Sequence, residues 1–179
     1  MLDMNTLRQD KEVEAIMRMS EKQIEAIGLT EHSRRHAGIV SLGSGCILRA
    51  LGKSEERIRL AEIAGYLHDI GNCINRKDHA QTGAILSYKI LLRLGMSETD
   101  AAEIMMAIGN HDEQYGQPVS DVSSALIIAD KADVHKGRVR NPVNDVYQAN
   151  IHDRVNLAAE RSYIKVEENG SVIALHIQI

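Results

Sequence analysis

Apolar residues recur along most of the chain at three-, four- and seven-residue steps, the spacing of one buried helix face. Val13, Ile16, Met17, Ile24 and Ile27 set a first helix over about Leu7 to Ile27. Gly28 stops it, and Thr30 can cap the next. A second helix runs from about Glu31 to Leu51 on Ile39, Val40, Leu42, Cys46 and Ile47, and Gly52 ends it. Gly38, Gly43 and Gly45 weaken its intrinsic propensity, so close packing against a neighbour must compensate. Ser54 opens a third helix through Ile58, Leu60, Ile63 and Leu67, ending at Gly71-Asn72. After a loop, Asp78 with Gln81 three residues on reads as a capping box for a fourth helix, to about Leu94. Ser97 caps a fifth helix to about Ile108. A sixth spans about Ser120 to His135, and its run Ala125 to Ala129 is apolar nearly all round. The third and sixth helices should therefore be central.

The last part of the chain changes period. Pro142 breaks it, and a short helix follows over about Asn144 to Glu160. Tyr163 to Glu167 and Val172 to Ile179 then alternate around Asn169-Gly170, a hairpin signal. The pattern predicts an all-α bundle of six or seven helices with a short C-terminal β-hairpin, about 162–179. It shows no linker, so residues 1–179 read as one domain.

Composition narrows the function classes. Phe and Trp are absent, so the core must be aliphatic and the chain lacks a base-stacking platform for nucleic acid. The net charge of −4 gives no general attraction to nucleic acid or anionic lipid. No stretch is long and apolar enough for a signal peptide or a membrane span. Cys46 and Cys73 are no disulfide framework, which favours a reducing, cytoplasmic setting. The Met17-Met19 and Met105-Met106 faces suit core or dimer contact.

The unusual number is eight His in 179 residues. His36 lies early in the second helix. His68-Asp69 closes the third. His79 starts the fourth, His111-Asp112 follows the fifth, and Asp130 interrupts the apolar sixth. A lone His is usually a surface or satisfied core residue, but a bare carboxylate on so apolar a helix is expensive. Imidazoles and carboxylates gathered from separate helices suit Fe, Mn, Zn, Ni or Mg.

Together these residues resemble the HD-domain metal-dependent phosphohydrolases over roughly residues 30–140. The resemblance rests on His36 with Val40, on Gly65-Tyr-Leu-His-Asp-Ile-Gly71, and on Ile128-Ala-Asp-Lys-Ala-Asp133. It implies a first divalent metal on His36, His68, Asp69 and Asp130, and a second on His79 and His111, bridged by Asp69. His32, one turn from His36, is the rival first ligand; the register with Val40 favours His36. His135, His152 and His176 are left without metal work. Cyclic dinucleotide cleavage fits poorly, since Asn110 and Gln114-Tyr-Gly-Gln-Pro118 depart from that branch. Ile70-Gly71-Asn72-Cys73 departs from the guanosine tetraphosphate branch.

The implied chemistry is cleavage of a phosphoester or phosphoanhydride bond, of a nucleotide or similar small phosphorylated substrate, by metal-activated hydroxide. His68 and Asp69 would be central to it. Asp133 and Glu113 could take a leaving-group proton or orient a ligand. Lys131, Arg138, Arg140 and Arg35 are the expected phosphate clamps, chosen over Arg34, Arg76, Lys77 and Lys136. A di-iron oxygenase on the same scaffold and a noncatalytic, metal-stabilised interaction module are the alternatives. The hairpin edge or the first helix would be the homodimer contact.

Overall fold

The computed structural model describes residues 2–140, 151–167 and 170–179. Among these, eight α-helices precede a two-stranded antiparallel sheet: α1 (Met4–Gln9), α2 (Lys11–Ala26), α3 (Arg34–Ala50), α4 (Glu55–Leu67), α5 (His79–Arg93), α6 (Glu98–Gly109), α7 (Asp121–Ala132), α8 (Ile151–Ala158), β1 (Arg161–Glu167) and β2 (Val172–Gln178). This is the expected helical bundle with its hairpin. Pro142, the Asn144 start of the last helix and Asn169 of the turn lie outside the described residues. None of the described helices is long and apolar enough to cross a membrane.

Helix starts follow local chemistry. Ser54, Ser97 and Ser120 each accept a backbone N–H from the first turn of α4, α6 and α7. Three boundaries differ from the sequence reading. The first helix is two, because Asp10 turns extended and caps α2 through Glu12 and Val13 N–H. Ser33, not Thr30, caps α3, and Thr30 instead donates to Asp153. Asp78 takes a left-handed conformation with no side-chain cap, so no capping box forms at α5. Gln81 reaches Gly109 O instead.

α3, α4 and α7 pack on one another, with α6 against α4 and α7, and α5 against α6. The core is aliphatic, including Leu48, Ile63, Leu67, Ile104 and Leu126. Ile164 and Ile173 of the hairpin close over it, and Ser162 Oγ donates to Ala132 O. Of the glycines in α3, Gly43 meets Ala129 and Gly45 meets Glu62, while nothing lies near Gly38.

α3 and α4 meet backbone to backbone at Gly65 of α4. A Cβ there would lie 2.8 Å from the Ser41 backbone of α3. Backbone cannot rotate away, so the Gly65→Ala chain must part α3 from α4. We expect a loss of about 3 kcal/mol, at the upper end of overpacking costs, read as a lower urea midpoint at unchanged slope. A loss below about 1 kcal/mol would show that the two helices slide freely.

Candidate metal centre

Helices α3 and α7, the C-terminal ends of α4 and α6 and the start of α5 converge on one point. His36 sits in the first turn of α3, on a face where Ala37 and Val40 are also buried. His68 caps the C-terminus of α4, and Asp69 leaves the helix with φ −100°. The adjacent pair therefore need not splay around one helix axis, and both side chains turn inward. His79 begins α5, His111 follows α6, and Asp130 lies in the last turn of α7. His36, His68, Asp69, His79 and His111 are all buried.

Asp69 stands at the middle. Its Oδ2 lies 3.3 Å from His68 Nε2 and 3.9 Å from His36 Nε2. Its Oδ1 lies 3.4 Å from His79 Nε2 and 4.0 Å from His111 Nε2. The two oxygens of one carboxylate thus face two different pairs of imidazoles. Asp130 Oδ1 joins the first side, 3.1 Å from His36 Nε2 and 3.6 Å from His68 Nε2. Asn72, in the 3-10 turn after the pair, donates to Asp69 Oδ1 at 2.8 Å and fixes its plane.

Each ring is oriented through its far nitrogen. His68, His79 and His111 direct Nδ1 at the carbonyls of Gly65, Arg76 and Ile108, each three residues earlier, at 2.8, 3.0 and 2.7 Å. A carbonyl can only accept, so Nδ1 carries the proton and a neutral ring offers a lone pair at Nε2. His36 Nδ1 meets the Asp133 carboxylate at 2.7 Å. This arrangement fixes tautomer and direction in metal-binding imidazoles.

The donors fit a divalent cation. His68 Nε2 and Asp69 Oδ2 are buried with no hydrogen-bond partner, a costly state that a shared cation relieves. Ligand atoms of His36, His68 and Asp130 lie within 4.8 Å of one another, as do those of His68, Asp69 and His111. In the metal-free chain a proton does part of this work. Burial opposes charge on His68, but the Asp69 and Asp130 carboxylates outweigh it and raise its pKa to about 10. Burial likewise opposes charge on Asp69 and Asp130. Facing His68 and His36, both are nevertheless held well below the usual carboxylate range. Burial pushes His111 down to about 4 and lowers His79.

A family model for the HD domain matches residues 31–136, more than half of the chain. The chain belongs to the HD-domain family. An uncharacterized protein of Methanocaldococcus jannaschii is 27 % identical over 159 residues, covering 76 % of this chain; the chain spans 61 % of that relative's length. The crystal structure of a predicted HD superfamily hydrolase from an uncultured Thermotogales bacterium shares the fold, with a TM-score of 0.53 at 22 % identity over 74 % of each chain.

The HD-domain centre opens into a cavity of about 650 Å³. Of the six positions singled out from sequence, Asp69, His79, His111 and Asp130 line it, while His36 and His68 meet Asp130 without lining it. The expected clamps divide. Lys131 lines the cavity, 3.0 Å from Asp130 Oδ2 and 2.8 Å from Glu113 Oε2. Burial opposes its charge, yet those carboxylates raise its pKa. Arg138 borders the cavity but is buried, and its donors go to the Glu31 and Asp133 carbonyls. It shapes the loop that holds Asp133. Arg35 pairs with Glu31 and Asp133, and Arg140 with Glu21 and Glu25; neither lines the cavity. Arg76 and Lys77 do line it, and Arg76 Nη1 lies 3.6 Å from Asp69 Oδ1.

His32 precedes α3 and also borders the cavity, with its ring 5.5 Å from that of His36. It has the same wiring as the inner rings, Nδ1 to Thr30 O at 2.5 Å. Burial pushes its pKa down to about 4. His176 stacks on Tyr163 in the hairpin, far in sequence from the centre, and His135 Nδ1 accepts from Gly137 N. Two positioning residues carried no clear sequence signal. Asn72 reads as the end of a helix, and Asp112, 3.5 Å from His79 Nδ1, reads only as the neighbour of His111.

Proposed function

We propose that the chain is a metal-dependent phosphohydrolase that cleaves the phosphate ester of a small, nucleotide-sized substrate at a two-metal centre. The observation that carries the reading is the split of Asp69, with Oδ2 toward His36 and His68 and Oδ1 toward His79 and His111. Such a carboxylate can bridge two cations. His36, His68 and Asp130 would complete one site, and His79 and His111 the other. Bound cations of this kind make hydroxide available near neutral pH and neutralise phosphoryl oxygens.

The chain's own residues supply position and charge. Asp133 and the three backbone carbonyls aim the rings. Asn72 and Arg76 hold Asp69. Arg76, Lys77 and Lys131 present positive charge on the cavity side, where an incoming phosphate approaches. Arg76 and Lys77 thus take the clamp role first given to Arg138, Arg140 and Arg35, with Lys131 retained.

The test is metal content by elemental analysis, beside phosphate release from a panel of nucleotides and simple monoesters. Wild type should hold about two ions, and His79→Ala and His111→Ala about one each. Chelator should abolish phosphate release and Mn²⁺ restore it. One ion in all three proteins would remove the second site. Oxygen uptake by iron-loaded protein with no phosphate release would replace the reading with a di-iron oxygenase. Loss of thermal stability on stripping, with neither activity, would leave a structural metal.

A further inference from the structure

The metal centre forms one side of the cavity; the facing wall is different in kind. It is built by α8, with Leu29 and Val134 beside it. Ile151 and Val155 are four residues apart and so share a helix face. Both line the cavity, and both remain 61 % and 47 % exposed. α8 is fixed in place. Thr30 Oγ1 donates to Asp153 Oδ1 at 3.0 Å, His135 N to Asn156 Oδ1 at 3.0 Å, and Lys136 N to Ala159 O at 2.9 Å. These bonds tie it to the segment entering α3 and to the segment leaving α7, the helices that carry His36 and Asp130.

Of the polar residues on this wall, Asn156 is already engaged, and His152 also lines the cavity. Asn156 Nδ2 donates to His152 O, and its Oδ1 accepts from His135. The cationic side chains Arg76, Lys77 and Lys131 belong to the metal side. The cavity therefore has a charged floor and a wall on which Ile151 and Val155 offer apolar surface beside His152, within the size of small-molecule sites. Apolar side chains held rigidly beside a polar floor stay wetted until a ligand covers them.

We propose that the α8 wall is the subsite for the organic half of the substrate, and that it recognises that half by apolar contact. The substrate class is a phosphomonoester bearing a planar or hydrocarbon group. The proposal rests on the phosphohydrolase reading, and the test separates the two. Mn²⁺-loaded protein is titrated by calorimetry with phenylphosphonate and methylphosphonate, which share the anionic head and differ in the apolar group.

Wild type should bind phenylphosphonate about tenfold tighter, the scale expected for covering part of one ring. Val155→Asp should bring the ratio close to one at unchanged metal content. Val155 is half exposed, so this substitution should leave the fold intact. Equal binding in wild type, or a tenfold ratio that survives Val155→Asp, overturns the subsite alone. Failure of both phosphonates to bind wild type overturns the phosphohydrolase reading and the subsite with it. A dimer that Val155→Asp dissociates, with the ratio unaltered, would assign the wall to a second copy of the chain.

Discussion

Asp69→Asn is expected to lower metal-dependent phosphate release about 1,000-fold or more, equivalent to about 4 kcal/mol of transition-state stabilisation. The substitution is nearly isosteric, so the effect is chemical. An amide has one acceptor oxygen and one NH₂, and it carries no charge. Whichever way it turns, one pair of imidazoles then faces a donor in place of an anion. Asn72 already donates to Oδ1, which favours keeping the amide oxygen there and turning the NH₂ toward His36 and His68. The side holding His36, His68 and Asp130 should lose its ion first.

Asp133→Asn supplies the contrast. Asp133 touches His36 Nδ1 and lies outside the donor ring. Removing its charge should weaken metal affinity by about 10- to 100-fold, with activity recovered at high metal concentration. Asp69→Asn should not recover in this way. The measurement is phosphate release against Mn²⁺ concentration for both variants. Full rescue of Asp69→Asn would mean that Asp69 orients neighbours and does not bind metal.

Helix content was legible because most of the bundle buries one face per helix. The Asp10 break was not, because Leu7 and Val13 are both buried on either side of it. The apolar period runs straight through a backbone that turns. Thr30 and Ser33 are both good caps, and only tertiary contact decides between them, through the Thr30–Asp153 bond. At the centre, the inward residues stood out as His and Asp in apolar surroundings. What holds them did not, since three of the four orienting acceptors are backbone carbonyls, which every sequence has. The clamps show the limit of sequence proximity. Arg138 is close to Asp130 in the chain, yet its guanidinium is consumed by two carbonyls. Arg76, further away in sequence, reaches Asp69. The sequence predicts only a short helix where α8 lies, and the structure places Ile151 and Val155 on the cavity.

The largest stability effect should appear on stripping metal at alkaline pH. In the metal-free chain His68 has a pKa raised to about 10 by Asp69 and Asp130. Its unfolded value is the ordinary 6.5. The stabilisation is therefore complete below about pH 6.5 and is lost progressively as pH rises toward 10. His111 and His32, pushed down to about 4, act on the other side. They are buried neutral, so their contribution is present above pH 6.5 and fades as pH falls toward 4. Asp69 and Asp130 add to the acid limb below the ordinary carboxylate pKa of 3.8. The metal-free chain should thus be most stable near neutrality. Between pH 6.5 and 9 the His68 contribution alone falls by roughly 3 kcal/mol, or roughly 10 °C in Tm for a chain of this size. A bound divalent cation takes the place of the His68 proton, and its own binding strengthens as ligands deprotonate. Thermal melts of stripped and Mn²⁺-loaded protein at the two pH values should therefore diverge, with the stripped curve falling and the loaded curve holding. Asp130→Asn removes one of the two carboxylates that raise His68, so it should flatten the alkaline fall of the stripped protein. Parallel stripped and loaded curves would mean that His68 carries no extra proton between these carboxylates in the metal-free chain.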